Sequence, residues 1–137
     1  MADWFKYCKV EFKDKGRDWK GCDCWGLGTL IYKEELGIEL PSYGDISAHD
    51  LIKVSKAISE GSRVEEVWKP IEKNAVRPYD FCLMHLAGTK RLGHVGIVID
   101  GGHIIHIEKG VNAAIVPFDH YTVRERITGF RRHRSLI

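Results

Sequence analysis

The strongest strand signal in the chain is the stretch Gly93-His94-Val95-Gly96-Ile97-Val98-Ile99, in which β-branched residues dominate. The dipeptide Gly101-Gly102 follows closely and is typical of a hairpin turn, so residues 103–107 are predicted as the return strand. Each strand of this hairpin carries a histidine, His94 in the first and His106 in the second. This hairpin is the starting point for predicting both the fold class and the candidate site.

Further strands are predicted after Pro78, over residues 81–86, 113–116 and 126–132. The earlier part of the chain has helical spacing instead, over residues 24–36 and 47–58 and in a short segment near residues 4–8. Asp23 is placed to cap the helix over residues 24–36, and Gly37 to end it. Helices followed by an antiparallel meander indicate an α+β domain, with N-terminal helices packed on a sheet of about five or six strands.

The length of 137 residues fits one domain, so residues 1–137 are predicted to form a single domain. Hydrophobic residues make up 44% and charged residues 29%, which is ordinary for a globular protein. The net charge of +2 is too small to indicate a nucleic-acid binder. No apolar stretch approaches the roughly 18 residues of a membrane span, and no basic region opens the chain. We therefore expect no membrane segment, and synthesis in the cytoplasm without a secretion signal.

Cys24 is the candidate nucleophile among the four cysteines, because it falls in the first turn of a predicted helix. Exposed backbone N–H groups and the helix dipole favour an anion there, which predicts a lowered thiol pKa and a reactive thiolate. Gly26 and Gly28 would keep the nearby surface low for a substrate. Free cysteines are often small buried hydrophobes, so position alone leaves the two interpretations about equal.

The two histidines favour the catalytic interpretation. In a cysteine–histidine pair, the imidazole takes the thiol proton, and a further polar group fixes the orientation of the ring. A regular two-residue turn at Gly101-Gly102 would pair residue 97 with residue 106, and His94 and His106 would then face opposite sides of the sheet. If both imidazoles serve one site, a bulge or a longer turn must shift the register by one residue. We therefore predict a non-ideal hairpin around residues 100–103.

Several sequence blocks, in order along nearly the whole chain, resemble the NlpC/P60 family of papain-like cysteine peptidases. The blocks surround the candidate nucleophile, the two histidines, and the strands that precede and follow them. They are Gly21-Cys22-Asp23-Cys24-Trp25-Gly26-Leu27, Pro78-Tyr79-Asp80-Phe81-Cys82-Leu83, Gly93-His94-Val95-Gly96-Ile97-Val98-Ile99, Ile104-Ile105-His106 and Ile127-Thr128-Gly129-Phe130-Arg131-Arg132. Tyr79 stands where the family usually has glycine, and Phe12 stands where it commonly has tyrosine.

The resemblance implies a papain-like fold and a cysteine endopeptidase that hydrolyses peptidoglycan stem peptides, at the γ-D-glutamyl–diamino acid bond. It implies Cys24 as nucleophile, His94 as base and His106 as the residue that orients the base, with no metal and no cofactor. Because Phe12 lacks a hydroxyl, backbone N–H groups, including that of Cys24, are expected to stabilise the oxyanion. Whether Tyr7 or Trp25 compensates stays open at this point.

Trp25 and the segment Gly37-Ile38-Glu39-Leu40-Pro41-Ser42-Tyr43 resemble the branch of the family found in phage tails. This resemblance implies a virion-associated wall hydrolase held by tail-tip proteins and acting at the bacterial cell wall. Two alternatives are kept: a structural tail-assembly component with a papain-like fold, and an acyltransferase or amidase on the same fold. A zinc site built from Cys24 and the histidines His49, His103, His120 and His133 lacks a supporting ligand spacing.

Overall fold

The computed structural model describes residues 3–41 and 67–137. The predicted helix over residues 47–58, with His49 and Asp50, lies outside these residues. The chain begins with a 3-10 helix, Trp4–Lys9, and continues through a small hairpin made of β1 (Arg17–Asp18) and β2 (Gly21–Cys22). That hairpin leads directly into the helix that carries Cys24.

Helix α1 spans Cys24–Ile31 and continues as a turn of π-helix over Tyr32–Leu36. The buried carboxylate of Asp23 accepts a hydrogen bond from the Gly26 N–H at 2.8 Å, which satisfies a backbone donor at the start of the helix. Gly37 ends the segment in the left-handed region with a φ of 65°, a conformation that glycine adopts without strain. The predicted helix over residues 24–36, its cap and its stop are confirmed.

A six-stranded antiparallel sheet follows, in the order β3-β8-β4-β5-β6-β7, together with short 3-10 helices at Lys73–Ala75 and Arg134–Leu136. The sequence patterns did not predict a strand before residue 78, but the edge strand β3 forms there and pairs with β8. The fold class is confirmed. No helix within the described ranges has the length and hydropathy of a membrane span. The strands are β3 (Trp68–Ile71), β4 (Phe81–His85), β5 (Leu92–Asp100), β6 (His103–Glu108), β7 (Val111–Pro117) and β8 (Ile127–His133).

The hairpin between β5 and β6 contains the predicted irregularity. Asp100 pairs with His103, but the next pair is Val98 with Ile104, so Ile99 is an extra residue on β5. This bulge shifts the register by one, and residues 96 and 106 become opposed instead of 97 and 106. Opposed residues of an antiparallel pair share a face, so His94 and His106 lie on the same face of the sheet. The prediction of a non-ideal hairpin is confirmed.

Two hydrophobic clusters cover the two faces of the sheet. Helix α1 packs on one face, where Val95, Ile97 and Ile105 meet Trp25 and Leu27. The second cluster covers the other face and contains Cys82, Met84, Val98, Ile104, Phe118, Val123 and Phe130.

The glycines of α1 are needed for this packing. A Cβ at Gly26 would lie 1.9 Å from the carbonyl oxygen of Gly16, and one at Gly28 would lie 2.8 Å from the ring of Phe81. Both glycines are buried. The expectation that they keep the surface low for a substrate is therefore wrong, because their missing side chains let the helix approach the β1–β2 hairpin and the sheet.

Tyr79, which replaces the usual family glycine, has a φ of 77°. This left-handed conformation is strained for a residue with a Cβ. Surrounding contacts hold it: the Tyr32 hydroxyl donates to the Tyr79 carbonyl oxygen, the Tyr79 N–H donates to Val98 at 2.8 Å, and the ring packs against Trp4 with centroids 5.2 Å apart.

We expect Tyr79→Gly to be more stable than Tyr79→Ala by about 1 kcal/mol, because both variants lose the ring and only alanine keeps the strained Cβ. Urea unfolding of the two variants measures the difference. At a position without strain, an alanine variant is more stable than a glycine variant. If Tyr79→Ala proves more stable than Tyr79→Gly, the backbone at residue 79 is not strained.

A buried ion pair joins β8 to the start of β4. The Arg132 Nε and Nη2 atoms donate to the two carboxylate oxygens of Asp80, each at 2.8 Å, and Nη2 also donates to the Ala75 carbonyl at 2.9 Å. The Asp80 side chain is fully buried. Loss of Arg132 would leave this carboxylate in the core without its cation.

Arg132→Met is expected to lower the free energy of unfolding by about 3 kcal/mol, because it leaves a buried charge uncompensated. Arg131→Met makes the same chemical change at the neighbouring, less buried position and is expected to cost under about 1 kcal/mol. Denaturant unfolding compares them, and equal costs would contradict the importance of the Asp80–Arg132 pair.

Candidate active site

A cleft of about 420 Å³ opens where α1 and β5 begin and β6 ends. Cys24 contributes from the helix, His94 from β5, and Glu108 from the end of β6. Phe12 and Leu86 are among its apolar lining residues. The fold thus brings the first two predicted site residues to one cleft, although they are 70 positions apart in the chain (94 − 24 = 70).

The Cys24 thiol is buried, with a residue exposure of 3%. Backbone N–H groups of Val95 and Trp25 act on the sulfur and favour the thiolate, as the helix-start argument predicts. Burial nevertheless dominates and raises the pKa of the Cys24 thiol to about 12. The expectation of a lowered thiol pKa is therefore wrong for the resting site, which holds a protonated thiol at neutral pH.

His94 and His106 form a direct pair, with the His94 Nε2 and His106 Nδ1 atoms 2.9 Å apart. Both side chains are buried, and burial lowers the pKa of His94 to about 3 and also lowers the pKa of His106. Both rings are therefore neutral at neutral pH. Among the described residues, no hydrogen bond joins the Cys24 sulfur to the His94 ring, so the predicted sulfur–imidazole contact is not made in this structure.

Register explains how the sulfur and the imidazoles are arranged. His94 is paired with Met84 and shares its face of the sheet, while α1 packs on the other face. Cys24 and His94 therefore come together only at the end of the sheet, where both line the cleft. His106 is not among the lining residues and is hydrogen-bonded to His94.

Glu108 places a carboxylate beside the two imidazoles, and the sequence patterns did not identify it as a site residue. The Glu108 Oε1 atom lies 3.6 Å from the His94 Nε2 atom, and Glu108 forms a close ion pair with Arg126. Arg126 also donates to the carbonyls of His85 at 3.0 Å and Thr122 at 3.1 Å. A sequence signal existed, because Glu108 follows His106 by two residues on one strand and alternation places both on one face.

The polar atoms of His94, His106 and Glu108 lie within 4.8 Å of one another, and these residue types also occur in zinc sites. Two features make this cluster better suited to holding a proton than a metal ion. The guanidinium of Arg126 already donates to both carboxylate oxygens of Glu108, and the two imidazoles are hydrogen-bonded to each other.

The residues considered as substitutes for the missing tyrosine hydroxyl are engaged elsewhere. The Tyr7 hydroxyl donates to Glu35 at 2.8 Å, and the Trp25 indole N–H donates to the Pro41 carbonyl at 2.8 Å. Phe12 itself lines the cleft. Stabilisation of an oxyanion by the Cys24 backbone N–H stays a prediction.

The other cysteines and histidines of the described segments have separate environments. The Cys22 thiol is buried and donates to the Asp18 carbonyl at 3.1 Å. His103 pairs with Asp100 at the hairpin tip, and His120 pairs with Thr122. His133 packs between the rings of Tyr32 and Trp68.

The burial of Cys24 changes the expected order of thiol alkylation. Cys8 is partly exposed, whereas Cys22, Cys24 and Cys82 are buried with thiol pKa values raised to about 12. We expect iodoacetamide at neutral pH to label Cys8 before Cys24 in the resting protein, reversing the order that a helix-start thiolate would give. Peptide mass spectrometry after limited labelling measures this order. Faster labelling of Cys24 would mean that its thiolate forms without substrate.

Solved structures with the same fold are found among bacterial proteins. An NlpC/P60 family protein from Bacillus cereus shares 22% identity over 86% of this chain and 33% of its own, with a TM-score of 0.60. A lipoprotein-like NLP/P60 protein from Staphylococcus aureus shares 21% identity over 94% of this chain and 38% of its own, with a TM-score of 0.64. The NlpC/P60 domain of the peptidoglycan hydrolase SagA shares 16% identity over 93% of this chain and 89% of its own, with a TM-score of 0.58.

The chain thus spans about a third of the length of the first two of these proteins. A search of curated proteins found no match. The NlpC/P60 family, which generally comprises cysteine peptidases and hydrolases, has a family model that matches residues 9–132. Because that match covers most of the sequence, the chain belongs to the NlpC/P60 family.

Proposed function

We propose that this chain is a cysteine peptidase that cleaves peptidoglycan stem peptides, with Cys24 as nucleophile, His94 as base and His106 as the partner of the base. The observation that carries the proposal is the shared cleft of Cys24 and His94, with His106 hydrogen-bonded to the His94 Nε2 atom. The peptidoglycan substrate is supported by family membership and by SagA, a peptidoglycan hydrolase whose NlpC/P60 domain has the same fold. The γ-D-glutamyl–diamino acid bond is the proposed point of cleavage.

The reaction begins when the His94 Nδ1 atom takes the thiol proton and the Cys24 sulfur attacks the peptide carbonyl carbon. The amide bond then breaks, and the protonated His94 ring gives its proton to the leaving amine. Water, deprotonated by His94, hydrolyses the thioester and regenerates the thiol. Because the resting groups are both neutral, proton transfer accompanies attack on the substrate instead of preceding it.

Hydrolysis of wall material tests the mechanism. Cys24→Ala and His94→Ala are each expected to lower turnover of purified peptidoglycan at least about 1000-fold, because the nucleophile and the base act as a unit. His106→Ala is expected to leave more activity, since it acts through His94. Mass spectrometry of the released peptides identifies the bond cleaved.

Cys8→Ala is the matched control, because it removes a thiol that lies outside the cleft, and near-normal turnover is expected. The same assay separates the competing hypotheses. A structural tail component would show no turnover in any variant, and an acyltransferase would transfer the acyl group to an added amine in preference to water. Near-normal hydrolysis by Cys24→Ala would overturn the mechanism.

We further propose that the protein works in a phage or phage-like tail, held by tail-tip proteins and carried to the cell wall by the particle. The two sequence features behind this proposal are in contact, because Trp25 donates its indole N–H to Pro41 in the segment that resembles the tail branch. Detection of the chain by mass spectrometry in purified particles from the source strain tests the proposal, and recovery only in particle-free fractions would contradict it.

A further inference from the structure

The His94–His106 pair leaves one question of proton position open, and the answer decides whether His94 can act as a base. In two neutral imidazoles joined by one hydrogen bond, either ring can be the donor. If His94 donates from Nε2, its Nδ1 atom carries a free lone pair that can accept the thiol proton. If His106 donates from Nδ1, the proton of His94 sits on Nδ1 and that lone pair is lost.

We propose that Glu108, anchored by Arg126, is a positioning residue that selects the productive tautomer of this pair by holding the proton on the His94 Nε2 atom. The inference rests on the proposed function for its catalytic meaning. The Glu108 Oε1 atom lies 3.6 Å from Nε2, and a negative charge at this distance favours a proton there. The His106 Nδ1 atom accepts the hydrogen bond from His94 Nε2. A neutral imidazole cannot by itself decide which ring donates, and the charge of Glu108 makes that choice.

The position of the Glu108 carboxylate is set by a second set of contacts. The Arg126 Nη1 atom donates to Glu108 Oε2 at 3.3 Å, and Nη2 makes a close contact with Oε1. Arg126 is itself fixed by the carbonyls of His85 and Thr122. Burial alone would raise the pKa of the Glu108 carboxyl, but the hydrogen bonds and charge of Arg126 oppose it, the pKa is lowered overall, and the carboxylate stays ionised.

The other charged or titratable groups near the pair do not supply this bias. The positive charge of Arg126 acts against a proton on the imidazoles. Cys24 faces the cleft as a neutral thiol. Among the described residues, Glu108 is therefore the one group whose charge acts in favour of a proton on either ring.

The tautomer can be observed directly, without turnover. In Cys24→Ala protein labelled with ¹⁵N, we expect His94 at neutral pH to show a protonated Nε2 and an unprotonated Nδ1. Adding Glu108→Gln keeps the side-chain shape and removes the charge, so most His94 rings are expected to carry the proton on Nδ1. Glu108→Asp keeps the charge one methylene further away and is expected to give an intermediate population.

The same substitutions in the active protein connect the tautomer to the rate. Glu108→Gln is expected to lower kcat by about tenfold or more with KM little changed, since a charge effect of one pKa unit corresponds to a factor of ten. Glu108→Asp is expected to recover part of this loss. The control is Glu125→Gln, which removes an exposed carboxylate outside the cleft and should alter neither the tautomer nor kcat.

Outcomes that overturn the proposal differ from those that overturn the proposed function. If Glu108→Gln leaves the His94 tautomer unchanged, or if Glu108→Asp and Glu108→Gln behave alike, the charge of Glu108 does not select the tautomer. If the tautomer changes as expected but wild-type protein does not hydrolyse peptidoglycan, the positioning inference holds and the proposed substrate is wrong.

Discussion

The arrangement of the candidate site depends on one extra residue, Ile99, in strand β5. Without this bulge, His106 would sit opposite residue 97 and point to the face of the sheet covered by α1. With it, His106 lies opposite Gly96 and reaches the Nε2 atom of His94. A Cβ at Gly96 would come within 3.3 Å of the His106 Cβ, so the small residue also makes room for the second imidazole.

Burial and local electrostatics compete at Cys24, and burial has the larger effect. The helix start and two backbone N–H groups favour the thiolate, yet the enclosed sulfur keeps its proton. The same enclosure keeps His94 neutral. The site therefore holds two neutral groups next to an ionised Glu108–Arg126 pair, and under the proposed mechanism charges separate only when a substrate carbonyl is bound.

Local sequence signals predicted the elements that local interactions determine. Asp23 and Gly37 bound the helix because their side-chain and backbone preferences act within a few residues. Alternation and the Gly101-Gly102 turn predicted the central hairpin, and the demand that two histidines share a face predicted its bulge. Strand β3 escaped prediction because Pro70 breaks the usual strand pattern, and a proline is tolerated there since β3 lies at the edge of the sheet. The Glu108–Arg126 pair escaped because its partners are 18 residues apart and meet only after the sheet has formed.

The enclosed thiol also bears on how the protein tolerates oxidants. Peroxides attack a thiolate far faster than a thiol, so a cysteine with a standing thiolate is converted to sulfenic and then sulfinic acid. Cys24 keeps its proton while the cleft is empty. Under the proposed mechanism, the nucleophilic cysteine is thus kept in its least oxidisable form, and it is open to oxidation only during turnover.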